Sequence, residues 1–163
     1  MRVLGIDPGT LNMGYGILDE GDEIPILVHC GVLKASPRDP VANRLQKLYN
    51  SLTEILLHYS PDQVAIEEPF VHRNVRSAMI LGEAKAIALL GAVNVGADIF
   101  QYSPRQVKQS VTSYGGSDKE QVQEMVRLQL GLSYAPEPLD ASDALAVALC
   151  HIQQNSLNRI LEQ

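Results

Sequence analysis

The chain has 163 residues, of which 45% are hydrophobic, and a formal net charge of −6. A chain of this length buries one sizeable core, so we expect a single compact domain over residues 1–163. It has no run of about 18 uninterrupted apolar residues, and its start, MRVLGIDPGT, lacks the layout of a signal peptide, so we expect a soluble, cytoplasmic protein.

The first third of the chain predicts three consecutive β-strands, at residues 2–7, 14–18 and 25–33. The turn-rich segments PGTLN and DEGDE separate them. Strands joined by short turns pair antiparallel. The pattern therefore predicts a three-stranded meander.

A helix and a buried strand follow the meander. Asp39 before Pro40 predicts a helix N-cap with proline in the first turn. Apolar residues then recur at spacings of 4, 3, 4 and 3, which is typical of an amphipathic helix: Val41, Leu45, Leu48, Leu52 and Ile55. The apolar run QVAIE, residues 63–67, has helical patterns on both sides and is interpreted as a buried parallel strand.

The next predicted helix begins at Val75 and is rich in small residues. Its apolar or small positions keep helical spacing: Met79, Gly82, Ala86, Leu89 and Val93. A helix with so much Ala and Gly can approach another backbone closely. A short strand, DIFQY at residues 98–102, follows it.

Three further helices are predicted after this strand. Ser103 and Pro104 open the first, and Ser117 with Glu120 is interpreted as a capping box for the second. Gly131 is expected to end that second helix. The last helix is predicted to begin near Asp140.

This element order predicts an α/β protein with a mixed sheet, in which parallel strands extend the antiparallel meander. Ligands of such sheets bind at the carboxyl ends of the strands. Asp7 ends the first strand and Glu67 ends the buried strand, so the two carboxylates emerge side by side if these strands are neighbours. The alternatives are a turn role for Asp7, because Asp-Pro-Gly favours turns, and a plain surface position for Glu67.

Two further acids, Asp140 and Asp143, stand three residues apart, so they share one face of the first turn of the last helix. Taken alone, this pair is better explained by helix capping, with Asp140 at the N-cap and Asp143 at the N3 position, and needs no metal. Taken together, however, the acids from strand ends and from a late helix match a site for two hard divalent ions, which prefer oxygen ligands.

Residues 70–119 are net basic, although the whole chain is acidic. Six basic residues stand against three acidic ones, Glu83, Asp98 and Asp118; the basic ones are Arg73, Arg76, Lys85, Arg105, Lys108 and Lys119. Such a stretch is compatible with phosphate binding and also with an ordinary solvated surface. Charge alone leaves DNA binding open.

Four segments carry a family resemblance: GIDPGTLNMGYG, AIEEPFVHRNVRSAMILGEAKAI, YSPRQVKQSVTSYGGSDKEQVQEMV and DASDALAVALCH. Their order over nearly the whole chain resembles the RuvC Holliday-junction resolvases. The resemblance implies a ribonuclease-H-like fold with a mixed five-stranded sheet and helices on both faces. It also implies an endonuclease of DNA recombination and repair, in which Asp7, Glu67, Asp140 and Asp143 are catalytic and bind two Mg²⁺ ions, with Mn²⁺ as a substitute.

The resemblance also assigns DNA contacts. Phe70 matches an aromatic residue that is inserted at the opened base pairs of the junction, although a single Phe after a strand is more often a core residue. Lys108 and Lys119 match basic residues that face the scissile phosphate or the adjacent backbone, and Arg73 and Arg76 are expected to contact the backbone.

Partners follow from the substrate and from the family. A four-way junction has two equivalent strands to cut, which predicts a homodimer with two matching sites, and the helix over residues 75–95 is the candidate interface. The resemblance implies cooperation with the branch-migration proteins RuvA and RuvB.

Two other functional classes remain open from the sequence. An ATP-handling protein of the actin and sugar-kinase type also begins with a strand, an Asp and a Gly-containing turn, but it needs two domains to enclose a nucleotide. A DNA-binding module without catalysis gains nothing from four acids that repel phosphate.

Overall fold

The computed structural model describes residues 1–68 and 74–162 of the chain. Within these residues the elements follow the predicted order. They are β1 (Arg2–Asp7), β2 (Asn12–Asp19), β3 (Ile26–Lys34), α1 (Val41–Tyr59), β4 (Gln63–Glu67), α2 (Val75–Asn94), β5 (Asp98–Tyr102), α3 (Pro104–Thr112), α4 (Lys119–Gln129) and α5 (Leu139–Leu161).

The five strands form one mixed sheet in the order β3-β2-β1-β4-β5. β1, β2 and β3 pair antiparallel, as the predicted meander requires, whereas β4 pairs parallel with β1 and β5 pairs parallel with β4. Ile6 lies opposite Ile66 in the β1–β4 pair, so Asp7 and Glu67 follow at neighbouring positions of one sheet edge. The structure confirms that the two strands are neighbours.

Helices cover both faces of the sheet, as expected. α1 and α2 pack on one face, and α5 packs on the other with α3 and α4 against it. The alternation of strand side chains supplies both cores: Leu4 and Ile6 of β1 point into the core under α1 and α2, and Val3 points into the core under α5. The central strand β1 is therefore buried on both sides.

Two of the predicted helix caps are wrong. The N-cap of α1 is Pro40 rather than Asp39, because Pro40 is still extended (φ −53°, ψ 151°) and the helix begins at Val41. The capping box of α4 is formed by Asp118 and Gln121 rather than by Ser117 and Glu120.

The shift of the α4 cap by one residue has a local cause. The Ser117 side chain is buried, and its hydroxyl bonds to Thr112 Oγ1 at 2.6 Å and to the Tyr114 carbonyl oxygen at 2.8 Å. The Asp118 carboxylate instead accepts a hydrogen bond of 2.8 Å from the Gln121 backbone N–H. The predicted end of α4 is confirmed, since Gly131 follows its last turn with φ +62°.

α2 is apolar on the side that faces away from the sheet. Val75, Met79, Leu90 and Val93 are each more than half exposed, whereas its buried side consists of Ala84, Ala88, Gly91 and Ala92. By length and composition, α2 is also the one helix in the described part of the chain that could cross a membrane. This is weak evidence for a membrane span, because core helices of soluble proteins pass the same test.

Candidate active site

Acidic side chains from distant parts of the sequence meet at the carboxyl end of β1. Asp7, Asp140 and Asp143 each offer a carboxylate oxygen, and these oxygens lie within 4.8 Å of one another. Glu67, which ends β4 beside β1, has its carboxyl hydrogen-bonded to that of Asp7. The structure thus brings together all four acids that the sequence singled out.

The position of the two helical acids depends on how closely α5 approaches the sheet. A methyl group built on Gly14 of β2 would lie 2.0 Å from the Asp140 carbonyl oxygen, and one built on Gly5 of β1 would lie 2.1 Å from the Ala144 carbonyl oxygen. Any larger residue at either position would push α5 away from the sheet. These glycines therefore set the distance between Asp140 and the end of β1.

Helix capping does not account for Asp140. The N-cap of α5 is Pro138, which makes no side-chain cap hydrogen bond, and Asp140 lies inside the first turn. Its carboxylate is grouped with those of Asp7 and Asp143. The capping alternative raised by the sequence is therefore not supported, although both helical acids still gain from the partial positive charge at the helix start.

Glu67 and its neighbour Glu68 point in different directions, as alternation along a strand requires. Glu67 lines the cavity at the acid cluster. Glu68 is exposed and forms an ion pair of 3.3 Å with Lys85. The choice of Glu67 over Glu68 thus agrees with the geometry.

Two lysines face the acids. Lys119 Nζ, at the start of α4, lies 2.9 Å from Asp143 Oδ2. Lys108 of α3 lines the same cavity of about 210 Å³ together with Asp7 and Glu67. The cavity combines ligands for a cation with positive charges that suit a phosphate.

Burial and crowding disfavour the charged forms of two acids. Burial, followed by the negative charge of Asp143, raises the pKa of Asp7 to about 7, even though Lys119 opposes the shift. Burial, followed by the charge of Asp7, raises the pKa of Glu67 to about 8. A site that gathers so much repelling negative charge has the electrostatics of a cation site, and its all-oxygen donors fit a hard divalent ion.

These pKa shifts predict a pH effect on the stability of the metal-free protein. In the unfolded chain both acids ionise near their ordinary values of about 4. They stay protonated in the fold up to about pH 7–8, so the stability of the fold falls as pH rises from about 4 and levels off above about pH 8. Between about pH 6.5 and pH 8 in EDTA, we expect the melting temperature to fall by roughly 2–4 °C, the effect of about 1 kcal/mol.

The matched comparison is with Asp7→Asn, which removes one of the two acids and the charge that acts on Glu67. Buried His151, whose pKa burial lowers to about 4, stabilises the fold increasingly as pH rises to about 6.5, so the chosen window lies above its effect. A fall of equal size in both proteins would show that the acid cluster is not its cause.

Three of the predicted DNA contacts are Phe70, Arg73 and Arg76. Phe70 and Arg73 lie outside the described residues, so their predicted roles stay predictions. Arg76 is exposed in the first turn of α2, where Asn74 caps the helix.

The sequence did not lead us to Gly14 and Gly5 as positioning residues, although glycines on one face of adjacent strands are a usable signal of close helix packing.

The sequence pattern of one protein family, described as "Crossover junction endodeoxyribonuclease RuvC", matches residues 3–151. A protein of that name from Dehalococcoides mccartyi is 45% identical over 163 residues, which are 100% of this chain and 98% of the relative. One from a Roseiflexus species is 46% identical over 162 residues, 99% of this chain and 96% of the relative.

Two solved structures from Thermus thermophilus share the fold. A structure of RuvC has a TM-score of 0.87 at 37% identity, covering 97% of both chains. RuvC in complex with a Holliday-junction substrate has a TM-score of 0.89 at 37% identity, covering 97% of this chain and 96% of that one. This similarity confirms the ribonuclease-H-like fold.

Proposed function

Because the chain belongs to the RuvC family of crossover junction endodeoxyribonucleases, we propose that it resolves four-way DNA junctions by hydrolysing phosphodiesters at the acid cluster. The observation that carries the proposal is the meeting of Asp7, Glu67, Asp140 and Asp143 at one sheet edge, with Lys108 and Lys119 beside them. An acidic cluster flanked by lysines suits a cation together with a phosphate, whereas a DNA-binding module without catalysis has no use for it.

The described residues fit two Mg²⁺ ions, with Mn²⁺ as a substitute. Asp7, Asp140 and Asp143 would hold one ion, since their oxygens already converge. Glu67 would share the second ion with Asp7, because the two carboxyls are hydrogen-bonded neighbours. When bound, such ions supply a nucleophilic water at neutral pH and stabilise the charge that develops on the leaving oxygen.

The lysines orient the acids and the substrate. Lys119 holds the Asp143 carboxylate by a charged hydrogen bond. Lys108, which lines the same cavity, would neutralise a phosphate oxygen. None of the described residues that line the cavity carries a hydroxyl or a thiol, so we assign the attack on phosphorus to water. With the 3′ oxygen as the leaving group in line with that water, the products carry a 5′-phosphate and a 3′-hydroxyl.

The test is cleavage of an end-labelled four-way junction and of linear duplex of the same sequence, with Mg²⁺, with Mn²⁺ and with EDTA. We expect paired, symmetric nicks in the junction alone, and none in EDTA. Junction binding without cutting under either metal would favour the binding-module alternative. If the protein neither bound nor cut the junction, nucleotide binding would be tested next.

A homodimer completes the proposal, because two strands of the junction must be cut. Four exposed apolar residues of α2 are separated by 4, 11 and 3 positions, so they share one face of the helix: Val75, Met79, Leu90 and Val93. The small residues Gly82 and Ala86 lie between them on the same face. A methyl group built on Gly82 would meet no atom within 4 Å, so this part of α2 is open to a second helix. Pairing of two α2 helices would cover the exposed apolar side of this helix, which by length and composition could also cross a membrane.

The substitution Met79→Glu tests the interface. Burying a carboxylate without a partner in an apolar contact should raise the dimer dissociation constant by about 100-fold, equivalent to about 2.7 kcal/mol. Sedimentation would report the change in mass, and junction cleavage would shift from paired cuts to single nicks. Leu57→Glu on α1 is the matched control, because Leu57 and Met79 are both 66% exposed. A dimer that survives Met79→Glu would contradict the assignment.

Three further assignments complete this proposal. Phe70 enters the opened junction, and Arg73 and Arg76 contact the DNA backbone near it. RuvA and RuvB are the branch-migration partners. The protein works in the cytoplasm as a single nuclease domain over residues 1–163.

A further inference from the structure

A groove of about 740 Å³ lies at the end of the molecule opposite the acid cluster. Its walls are the β2–β3 hairpin loop, the last turn of α4 and the carboxyl half of α5. Asp143 and Leu157 stand 14 residues apart on α5, which corresponds to about 20 Å along a helix. The groove is therefore accessible while DNA occupies the acidic edge.

The groove is lined by exposed apolar side chains from three elements. Ile24 of the hairpin is 51% exposed, Leu128 of α4 is 54% exposed, and Leu157 and Ile160 of α5 are 53% and 67% exposed. The apolar stripe of α5 thus continues beyond Ile152, the last residue that it contributes to the core. Apolar side chains that converge on one groove, rather than being scattered singly, indicate an interaction surface.

The charge of the groove restricts its partner. Its hairpin wall carries Glu20, Asp22 and Glu23, and the residues that line the groove include no Lys or Arg. Arg159 pairs with Glu20 at 2.5 Å, whereas Asp22 and Glu23 are exposed and form no ion pair with any described residue. Such a surface repels DNA and anionic lipid and attracts a cationic partner.

A polar cavity extends the groove along α3. It has a volume of about 520 Å³, shares Ser110, Gln153 and Leu157 with the groove, and adds Gln106, Gln109 and one basic residue, Arg105. The three glutamine amides already make hydrogen bonds within the protein, so only their remaining N–H groups and lone pairs can bond the backbone of a bound segment. The two cavities together form a trough with an apolar, acidic end and an amide-lined end. The acidic part of the trough is therefore its hairpin end, where Asp22 and Glu23 lie.

We propose that this trough binds a segment of another protein that carries apolar side chains together with Lys or Arg. The apolar side chains would fill the space between Ile24, Leu128 and Ile160, and the basic ones would face Asp22 and Glu23. A second copy of the chain is disfavoured as the occupant, because two such grooves in contact would bring both acidic hairpins into one interface. The inference does not depend on the activity proposed above.

The test uses the full chain and a fluorescein-labelled probe peptide in which leucines recur at helical spacing among lysines and glutamines. We expect saturable binding by fluorescence anisotropy. Asp22→Lys/Glu23→Lys, and separately Leu128→Ser/Ile160→Ser, should each weaken it by about tenfold or more. The same peptide with glutamate in place of lysine should not bind.

Matched controls place the same changes elsewhere. Asp39→Lys/Glu54→Lys reverses two exposed acids, and Leu57→Ser removes an exposed leucine, both away from the groove; neither should alter peptide binding. Junction cleavage should equal that of the wild type in every groove and control variant. The proposal would be overturned if the peptide did not bind, or if it bound the groove variants as tightly as the wild type. It would also be overturned if Leu128→Ser/Ile160→Ser changed the mass measured in sedimentation, because the groove would then be assigned to a second copy of the chain.

Discussion

Asp7→Asn is expected to lower junction cleavage by about 10³-fold or more, equivalent to about 4 kcal/mol of transition-state stabilisation. Asp7 is the acid that links the cluster, since its carboxyl is hydrogen-bonded to that of Glu67 and lies within 4.8 Å of the oxygens of Asp140 and Asp143. Asparagine keeps the shape of the side chain and removes the charge that holds a divalent ion. Single-turnover cleavage of a labelled junction in Mg²⁺ measures the loss.

Binding separates this effect from a loss of structure. Junction affinity, measured by gel shift in EDTA, should stay within about threefold of wild type or increase, because the substitution removes negative charge near phosphate. Glu68→Gln is the matched control, since Glu68 pairs with Lys85 outside the cluster, and it should cut normally. Cleavage by Asp7→Asn at a rate near that of wild type would remove Asp7 from the mechanism.

Gly14→Ala should reduce both stability and cleavage. The added methyl group would lie 2.0 Å from the Asp140 carbonyl oxygen, so the start of α5 must move away from β2. Overpacking of this kind costs about 1–3 kcal/mol, or roughly 2–12 °C in melting temperature for a chain of this size. The same shift displaces Asp140 and Asp143 from Asp7, so cleavage should fall even at temperatures where the variant is folded.

Gly91→Ala provides the control for this experiment. Gly91 is also buried, but its added methyl group would meet the side-chain end of Leu56 at 3.1 Å, which can move. We expect a small change in melting temperature and normal cleavage from it. If the Gly14→Ala and Gly91→Ala variants have the same cleavage rate and the same melting temperature, the close approach of α5 does not position the acids.

Local chain chemistry determined most of the elements. The alternating and continuous apolar runs located all five strands of the described residues, and Ser103 with Pro104 marked the start of α3, where the structure has a capping box. The caps of α1 and α4 were wrong by one residue: Pro40 is extended, so α1 begins one residue later, and at α4 neighbouring groups decide which side chain is free to cap. The Ser117 hydroxyl, for example, is hydrogen-bonded to Thr112 and Tyr114 and therefore does not cap α4.

The positions of the acids at strand ends and on the last helix indicated which acids to consider, and the four family motifs indicated their grouping. The role that each acid takes follows from the folded arrangement: Asp140 is not a cap, and Glu67 rather than Glu68 faces the cavity. The reason is physical. Capping and strand alternation act over a few residues, whereas the distances between residues 7, 67 and 140 depend on strand pairing and on how closely α5 packs against Gly14.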